Sequence, residues 1–304
     1  MKPNLAVKIG RLKLKNPVMA ASGTFGSEYA GLADIDKLGA IVMKTITLKA
    51  RTGNPPPRIA ETASGMLNSI GLENKGLDDF IKNKAPLLKG VKTAVIASIA
   101  GDDEGEYAEL AERLDRVGRV DGIEINLSCP NVRHGDREYL IAQDEKAVYA
   151  IVNSVRKSTG KTIIAKLAPN VTDIAGIAKA AESALTDAVL LTNTFFGMAV
   201  DIDTLKPVLG NISGGLSGPA IKPLVLHMVW KTYKRAKIPI IGCGGIMDYK
   251  DALEFIICGA AAVQVGTANF VNPNTAVEII GGIKNYMVKN RTKDVNKLTG
   301  SLNA

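Results

Sequence analysis

Eight short apolar runs, each followed by a segment long enough for a helix, constrain the fold of this chain more than any other feature. The runs are rich in β-branched residues and nearly continuous in apolar character, which is typical of strands buried on both faces of a parallel sheet. Eight strand–helix units in 304 residues favour a (β/α)8 TIM barrel over a doubly wound sheet. The predicted strands are Pro17–Ala21, Ala40–Lys44, Ala94–Ile99, Gly122–Leu127, Thr162–Leu167, Ala188–Thr192, Ile238–Gly242 and Ala262–Val265.

An N-terminal hairpin and two long connections complete the predicted architecture. Apolar and polar residues alternate over Leu5–Leu14 around Gly10, which predicts a β-hairpin that caps the bottom of the barrel. The connections Thr45–Thr93 and Asn193–Lys237 are too long for simple helices, and we expect both to be insertions that rise over the mouth of the barrel. No linker or repeat divides the chain, so residues 1–304 are predicted to form a single domain. Helical periodicity is clearest at Glu104–Val117, Glu145–Thr159, Ile174–Ala184 and Asp248–Cys258.

Composition and charge exclude several classes of protein. Apolar residues make up 46% and charged residues 22% of the chain, as in ordinary globular enzymes. No apolar run approaches the roughly 18–20 residues of a membrane span, and the N-terminus lacks a signal-peptide core, so we expect a cytoplasmic protein. The net charge of +8 indicates a solvated basic surface. No basic run with interleaved aromatic residues points to nucleic-acid binding.

Cysteine and histidine usage predicts no metal site on this chain. The three cysteines, Cys129, Cys243 and Cys258, are odd in number and contain no C-x-x-C pair. That pattern argues against a disulfide framework, a structural zinc and an iron–sulfur cluster held by this chain alone. His134 and His227 are too few and too scattered to complete a metal site.

Small, polar or cationic residues stand at the carboxyl end of every predicted strand. The carboxyl ends of parallel barrel strands meet at one face, where barrel enzymes keep their active sites, so we expect these residues to surround one site. Mid-strand positions are almost all apolar, which makes the eight polar ends a pattern rather than a coincidence. The residues are Ser22-Gly23, Lys44-Thr45, Ser98, Asn126 with Cys129, Lys166, Asn193-Thr194, Gly244-Gly245 and Gly266-Thr267.

Glycines and lysines at these ends indicate anion binding. Gly242–Gly245 and Gly266-Thr267 follow the seventh and eighth strands, the usual barrel phosphate position, where bare backbone amides approach an anion. The alternative is that these glycines form only turns. Lys44 and Lys166 end buried strands, and each is expected to face an anion unless its ammonium reaches solvent.

Cys129 is the candidate reactive residue. It precedes Pro130, which cannot donate to a β-ladder, so the fourth strand ends there and delivers the thiol together with the amide of Asn126. An arbitrary cysteine is more often a small buried hydrophobe, and Cys243 and Cys258 keep that structural interpretation.

With these residues assembled, the chain resembles the class 1 dihydroorotate dehydrogenases over almost its whole length. Asn193-Thr194, Gly197–Asp201 and Pro207–Leu209 are most similar to the NAD-linked subclass, class 1B. The motifs that carry the wider resemblance are Asn126-Leu-Ser-Cys129-Pro-Asn131, Asn68-Ser-Ile-Gly71-Leu72, Lys166-Leu-Ala-Pro169-Asn170, Gly214-Gly-Leu-Ser-Gly218-Pro-Ala-Ile-Lys-Pro223 and Ile238-Pro-Ile-Ile-Gly-Cys-Gly-Gly-Ile246.

The resemblance implies an FMN in the barrel mouth and oxidation of dihydroorotate to orotate beside it. It further implies that Cys129 takes the C5 proton, Lys166 stabilises the reduced flavin and Lys44 neutralises the substrate carboxylate. The residues expected to hold FMN are Ser22, Lys44, Thr45, Asn126, Lys166, Leu191, Gly218, Gly244, Gly245, Gly266 and Thr267. The residues expected to hold the substrate are Lys44, Asn68, Ser69, Ile70, Gly71, Leu72, Asn126, Asn193 and Thr194.

The subclass resemblance also implies a partner. In class 1B enzymes this subunit forms a homodimer core that pairs with a subunit carrying FAD and a [2Fe–2S] cluster, giving a heterotetramer that reduces NAD⁺. Three alternatives stay open: a fumarate-linked homodimeric dihydroorotate dehydrogenase, an FMN-dependent tRNA-dihydrouridine synthase, and a flavoprotein that only relays electrons. The second of these normally appends an RNA-binding domain, for which too few residues follow the last predicted strand.

Overall fold

The computed structural model describes residues 3–24, 31–127 and 141–303. Within these residues the strands are β1 (Val7–Ile9), β2 (Leu12–Leu14), β3 (Val18–Ala20), β4 (Ala40–Val42), β5 (Ile59–Thr62), β6 (Gly65–Asn68), β7 (Ala94–Ile99), β8 (Gly122–Asn126), β9 (Thr162–Leu167), β10 (Ala188–Leu191), β11 (Phe195–Met198), β12 (Val200–Asp201), β13 (Lys206–Pro207), β14 (Ser213–Ser217), β15 (Ile240–Cys243) and β16 (Ala260–Val265). The α-helices are α1 (Gly76–Asp79), α2 (Glu104–Asp115), α3 (Glu145–Ser158), α4 (Ile174–Ser183), α5 (Lys222–Tyr233), α6 (Tyr249–Ile257), α7 (Ala268–Val271) and α8 (Thr275–Lys289).

Eight parallel strands close into a barrel, which confirms the predicted TIM-barrel fold. Their order around the barrel is their order along the chain, β3, β4, β7, β8, β9, β10, β15 and β16, and β16 pairs back on β3. Every predicted apolar run overlaps one of these strands. The strand predicted from Ile238 begins only at Ile240, because the intervening Pro239 has no N–H to donate to the ladder.

Aspartate caps and apolar stripes explain the helices around the barrel. The side chains of Asp103, Asp144 and Asp248 accept hydrogen bonds from backbone N–H groups in the first turns of α2, α3 and α6, which satisfies donors that the helix itself leaves free. One face of α3 is buried at i, i+3, i+4 and i+7 spacing. The residues of that face are Val148, Ile151, Val152 and Val155.

The predicted N-terminal hairpin is present and lies at the amino ends of the barrel strands. β1 and β2 pair antiparallel through a turn at Gly10, which has φ +55°. The backbone N–H of Arg11 donates to Oγ1 of Thr162, the first residue of β9, at 3.0 Å. The inward residues Ile9 and Leu14 are buried, so the hairpin closes the bottom of the barrel.

The two long connections build a second sheet at the opposite end. β5 and β6 come from the first connection and β11 and β14 from the second, and they pair antiparallel in the order β11-β14-β6-β5. The central pairing sets Gly215 opposite Asn68 and Leu216 opposite Leu67. The inserted sheet therefore joins two segments that are far apart in the chain, and its residues line the cavity described below. No helix in the described ranges is long and apolar enough to span a bilayer.

Candidate active site

A cavity of about 460 Å³ opens between the carboxyl ends of the barrel strands and the inserted sheet. This volume lies in the range typical of cofactor and small-molecule sites. Residues at or just after the ends of β3, β4, β8, β9, β10, β15 and β16 contribute to its wall. Ser98, the next-to-last residue of β7, does not line the cavity; its buried Oγ lies 3.0 Å from the Oγ1 of Thr45, which does.

The cavity brings together nearly all of the residues that the sequence proposes for a site. Leu191 and Ser69 are fully buried and are not among the described residues that line it. Cys129, the predicted base, and Asn131 lie outside the described residues. The predicted residues that line the cavity are Ser22, Lys44, Thr45, Asn68, Ile70, Gly71, Leu72, Asn126, Lys166, Asn193, Thr194, Gly218, Gly244, Gly245, Gly266 and Thr267.

Lys166 supplies a buried cation in the cavity wall. Only 8% of its side chain is exposed. Its Nζ donates to the Oγ of Ser22 at 3.2 Å and lies 3.6 Å from Oε1 of Glu124. An ammonium has three donors, so this cation retains capacity for an anionic or carbonyl edge that enters the cavity.

Glu124 and Gln264 are functional candidates that the sequence reasoning missed. Both are fully buried in barrel strands, and Nε2 of Gln264 donates to Oε2 of Glu124 at 2.9 Å. The available signal was a pair of polar residues inside otherwise apolar strands, whereas the predicted site residues were chosen at the strand ends. A buried polar side chain is costly unless it is paired, so its presence in a barrel strand indicates a partner across the barrel.

Amides form a second polar cluster in the cavity. Nδ2 of Asn193 donates to Oδ1 of Asn126 at 3.2 Å, and Oδ1 of Asn193 accepts from the backbone N–H of Thr194 at 2.8 Å. The hydroxyl of Tyr107, a fully buried residue of α2, donates to the carbonyl of Asn126 at 2.8 Å and so fixes the end of β8. From the inserted sheet, Nδ2 of Asn68 donates to the carbonyl of Gly215 at 3.3 Å. Amide groups held in this way can offer both donors and acceptors to a planar heterocycle.

Glycines form the part of the wall that is best suited to an anion. Gly218, Gly244 and Gly245 have φ values of +102°, +146° and +72°, which side chains rarely adopt. A Cβ at Gly245 would lie 2.9 Å from the carbonyl oxygen of Gly218, so the two turns touch and only glycine fits. Nearby, Oγ1 of Thr267 donates to Oγ of Ser217 at 2.8 Å. Bare backbone and hydroxyl groups at the ends of β14, β15 and β16 can therefore surround a phosphate.

Asp251 and Lys222 hold the glycine turn after β15 in place. Oδ2 of Asp251 accepts from the backbone N–H of Met247 at 2.8 Å, and its Oδ1 pairs with Nζ of Lys222 at 2.6 Å. Burial alone raises the pKa of Asp251, but Lys222 and the backbone donors outweigh burial and lower that pKa below its ordinary value. The carboxylate therefore stays charged and the turn stays anchored at neutral pH.

Arg58 organises the loop that carries the predicted substrate residues. Its Nε donates to the carbonyl of Asn54 at 2.5 Å, and its guanidinium pairs with Glu73 at 2.6 Å. The backbone carbonyl of Arg58 accepts from Ser69 N–H at 2.7 Å. In this loop Ser69 is buried, whereas its neighbour Ile70 lines the cavity.

Further residues that line the cavity were not among the predicted FMN- or substrate-binding residues, although four of them, Ser217, Ile221, Cys243 and Ile246, lie in the family motifs quoted above. Among the described residues, no group of three or more His, Cys, Asp and Glu side chains is placed to bind a metal ion. The additional residues lining the cavity include Thr24, Ile59, Met66, Glu73, Thr192, Ser217, Ile221, Cys243, Ile246, Met247 and Phe270.

Comparisons with known proteins identify the family to which this chain belongs. The family model for dihydroorotate dehydrogenase matches residues 4–287. A protein of Thermoanaerobacter sp. (strain X514) is 54% identical over 301 residues, 98% of this chain and 99% of that protein, and is named "Dihydroorotate dehydrogenase B (NAD(+)), catalytic subunit". Proteins with the same name from Geobacter metallireducens and Desulforamulus reducens are each 51% identical over 303 residues, 99% of both chains. The resemblance to the NAD-linked subclass is thereby confirmed, and the chain belongs to the dihydroorotate dehydrogenase family.

Proposed function

We propose that this chain is the catalytic subunit of an NAD-linked dihydroorotate dehydrogenase, which oxidises dihydroorotate to orotate in pyrimidine biosynthesis. One observation carries the proposal: a buried lysine, an amide cluster and a glycine-lined anion cradle converge on a single cavity at the barrel mouth. Such a cavity suits two ligands at once, a phosphate-bearing planar cofactor and a small carboxylated ring.

The residues present fit an FMN. Gly244, Gly245, Gly266 and Thr267 would hold its phosphate, because they follow the last two barrel strands and line the cavity, and three of them carry no side chain that would keep an anion from the backbone. When bound, FMN supplies the two-electron acceptor for the substrate. Lys166 would face the polar edge of the ring, where negative charge accumulates on reduction.

The substrate would lie between this ring and the inserted sheet. Lys44 lines the cavity beside Gly23, and a Cβ added at Gly23 would lie 3.5 Å from the lysine Nζ. We propose that Lys44 pairs with the substrate carboxylate. Asn68, Asn126 and Asn193 would hold the amide edges of the pyrimidine. These asparagines would contribute mainly by orienting the pyrimidine ring, because the rate of hydride transfer from substrate to flavin depends strongly on how the two rings are aligned.

We further propose Cys129 as the base that removes the C5 proton of dihydroorotate. The support is its position in sequence, three residues after Asn126, which lines the cavity at the end of β8. A free thiol titrates near ~8.5, so the pH dependence of the reaction should report its ionisation.

The electron acceptor is proposed to be NAD⁺, reached through a partner subunit that carries FAD and a [2Fe–2S] cluster. Support comes from the relatives, which are named as NAD(+)-linked catalytic subunits, a name that implies a further subunit. A homodimer core within a heterotetramer is part of the same proposal. The cytoplasmic location and the absence of nucleic-acid binding stay predictions from the sequence.

Replacing Cys129 with Ala tests the reaction and the base separately. Under anaerobic conditions dihydroorotate should bleach the flavin of the parent protein, and Cys129→Ala should slow this reduction by roughly 10²–10⁴-fold, the usual contribution of a general base. Cys129→Ser should keep a little activity. Cys258→Ala, which removes a half-buried thiol at the end of α6, is the matched control and should reduce at the parental rate.

The outcomes of this experiment are distinct. A parent protein whose flavin is not bleached by dihydroorotate contradicts the proposed function, whereas parental rates in Cys129→Ala contradict only the base. Comparing NAD⁺ with fumarate as acceptor, for the chain alone and for chain co-purified with its partner, tests the proposed acceptor. Fumarate turnover by the chain alone would favour the homodimeric alternative.

A further inference from the structure

A buried carboxyl group lies beside the lysine of the cavity wall and has no role in the function proposed above. Glu124 is fully buried in β8. Its Oε2 accepts from Gln264, while its Oε1 makes no hydrogen bond in the described part of the structure and lies 3.6 Å from Nζ of Lys166. Lys166 thus forms an ion pair with this oxygen.

Strand register brings these three side chains together inside the barrel. Asn126 of β8 pairs with Lys166 of β9, and Glu124 precedes Asn126 by two residues, so it shares the inward face of β8 one layer deeper. Gln264 extends from β16 across the barrel, 140 residues away in sequence from Glu124. The carboxyl group is thus held from one side and points its second oxygen toward the lysine.

The arrangement is costly as a means of stabilising the barrel. Burying an ion pair commonly gives no more stability than apolar residues of similar volume, and one oxygen of Glu124 and the Oε1 of Gln264 lack hydrogen bonds. A barrel interior that needed only packing would be filled by branched apolar residues. The ion pair between Glu124 and Lys166 instead acts on the ammonium group of Lys166, which lies in the cavity wall.

We propose that Glu124 is a positioning residue that holds the Lys166 ammonium in the cavity wall and offsets part of its charge, lowering the reduction potential of the bound flavin. This inference rests on the proposed function, in which Lys166 faces the flavin and electrons leave for NAD⁺. NAD⁺ is a weak oxidant, so a lysine whose charge was not offset would stabilise the reduced flavin too strongly for electrons to move on. Glu124 allows Lys166 to orient the ring without trapping the electrons.

Glu124→Gln removes the charge while keeping size and hydrogen-bonding capacity. We expect the equilibrium ratio of reduced to oxidised flavin to rise about tenfold at a fixed potential, which is a shift of about 30 mV to more positive values for a two-electron couple. The measurement is an equilibrium reductive titration of the flavin against a reference dye, which requires no turnover. Glu112→Gln removes an equal charge from the exposed face of α2 and should leave the potential at the parental value.

Glu124→Asp provides a second, conservative variant. It keeps the charge but shortens the side chain by one methylene, so contact with Lys166 weakens and the potential should shift in the same direction by a smaller amount. If Glu124→Gln fails to fold, the test depends on Glu124→Asp. A flavin reduction potential in Glu124→Asp that equals the parental value then overturns the proposal. A folded Glu124→Gln protein that binds no flavin, or binds it at the parental potential, also overturns it. A parent protein that binds no flavin contradicts the proposed function as well, so the two failures are distinguishable.

Discussion

At the residue scale, Cys243 shows how the interior of this cavity controls a reactive group. Burial raises the pKa of its thiol to about 11; the Lys166 charge opposes this shift and Glu124 reinforces it. The thiol lines the cavity, yet at neutral pH it is almost entirely protonated and therefore a poor nucleophile. A protonated thiol agrees with the interpretation of Cys243 as a structural residue.

Alkylation of Cys243 by iodoacetamide should remain slow up to pH 9. Because only the thiolate reacts, and the pKa lies near 11, the rate should rise about tenfold per pH unit between pH 7 and 9 without levelling off. Peptide mass spectrometry of quenched samples gives the rate at Cys243 itself. Free glutathione in the same tubes should begin to level off near its own pKa, and a plateau for Cys243 in this range would contradict the stated ionisation.

At the element scale, the turn after β15 depends on glycine for its shape and on α5 and α6 for its anchorage. Gly245 has φ +72°, and a Cβ there would lie 2.7 Å from Cβ of Lys222 and 2.9 Å from the carbonyl oxygen of Gly218. Lys222 cannot withdraw freely, because it pairs with Asp251 and Glu254 of α6. The turn is therefore held from two sides and has no room for a side chain.

Gly245→Ala should weaken flavin binding at least tenfold and lower the free energy of unfolding by about 1–3 kcal/mol, the cost of a strained backbone conformation. Flavin fluorescence titration and urea unfolding measure the two effects. The matched control is Gly281→Ala in the exposed face of α8, where a Cβ meets no atom within 4 Å. That variant should bind flavin normally and gain up to about 1 kcal/mol of stability through helix propensity. Equal flavin affinity in both variants would argue against a phosphate at this turn.

At the scale of the whole molecule, the barrel separates stabilising residues from the cavity. The hairpin β1–β2 closes the amino ends of the strands, while the cavity opens at their carboxyl ends. The strands between are buried on both faces and support both ends. Changes at the bottom are therefore expected to alter folding without altering the site.

Ile9→Ala tests this separation. Ile9 is fully buried in β1, so its truncation should lower the free energy of unfolding by about 2–5 kcal/mol through lost burial and an unfilled cavity. Flavin affinity, measured well below the unfolding transition, should stay within twofold of the parent. Leu224→Ala, at a half-exposed position of α5, serves as the control and should cost less than about 1 kcal/mol. A parallel loss of flavin affinity in Ile9→Ala would show that the two ends are coupled.

The sequence by itself determined the barrel and most of the cavity wall. Apolar runs of strand length and helical periodicity are local signals, and eight of them in alternation leave few other ways to bury the strands. Once the fold is a parallel barrel, the carboxyl ends must meet, so Lys166, Asn126 and the glycines after β15 could be assigned to one site from their positions alone. The family motifs were readable for the same reason, since they are short contiguous runs.

Only the tertiary structure decided which distant residues touch and which way their side chains face. Glu124 and Gln264 meet across 140 residues, and Asn68 reaches Gly215 across 147, contacts that arise only when the barrel closes and the two insertions pair as a sheet. Ser69 and Leu191 were expected to bind substrate and FMN, yet both are fully buried, because their orientation depends on neighbours from other strands and loops. Hydrophobic periodicity shows which face of a single helix or strand is buried. A contact between side chains depends on how two elements pack, and these elements can be far apart in the sequence.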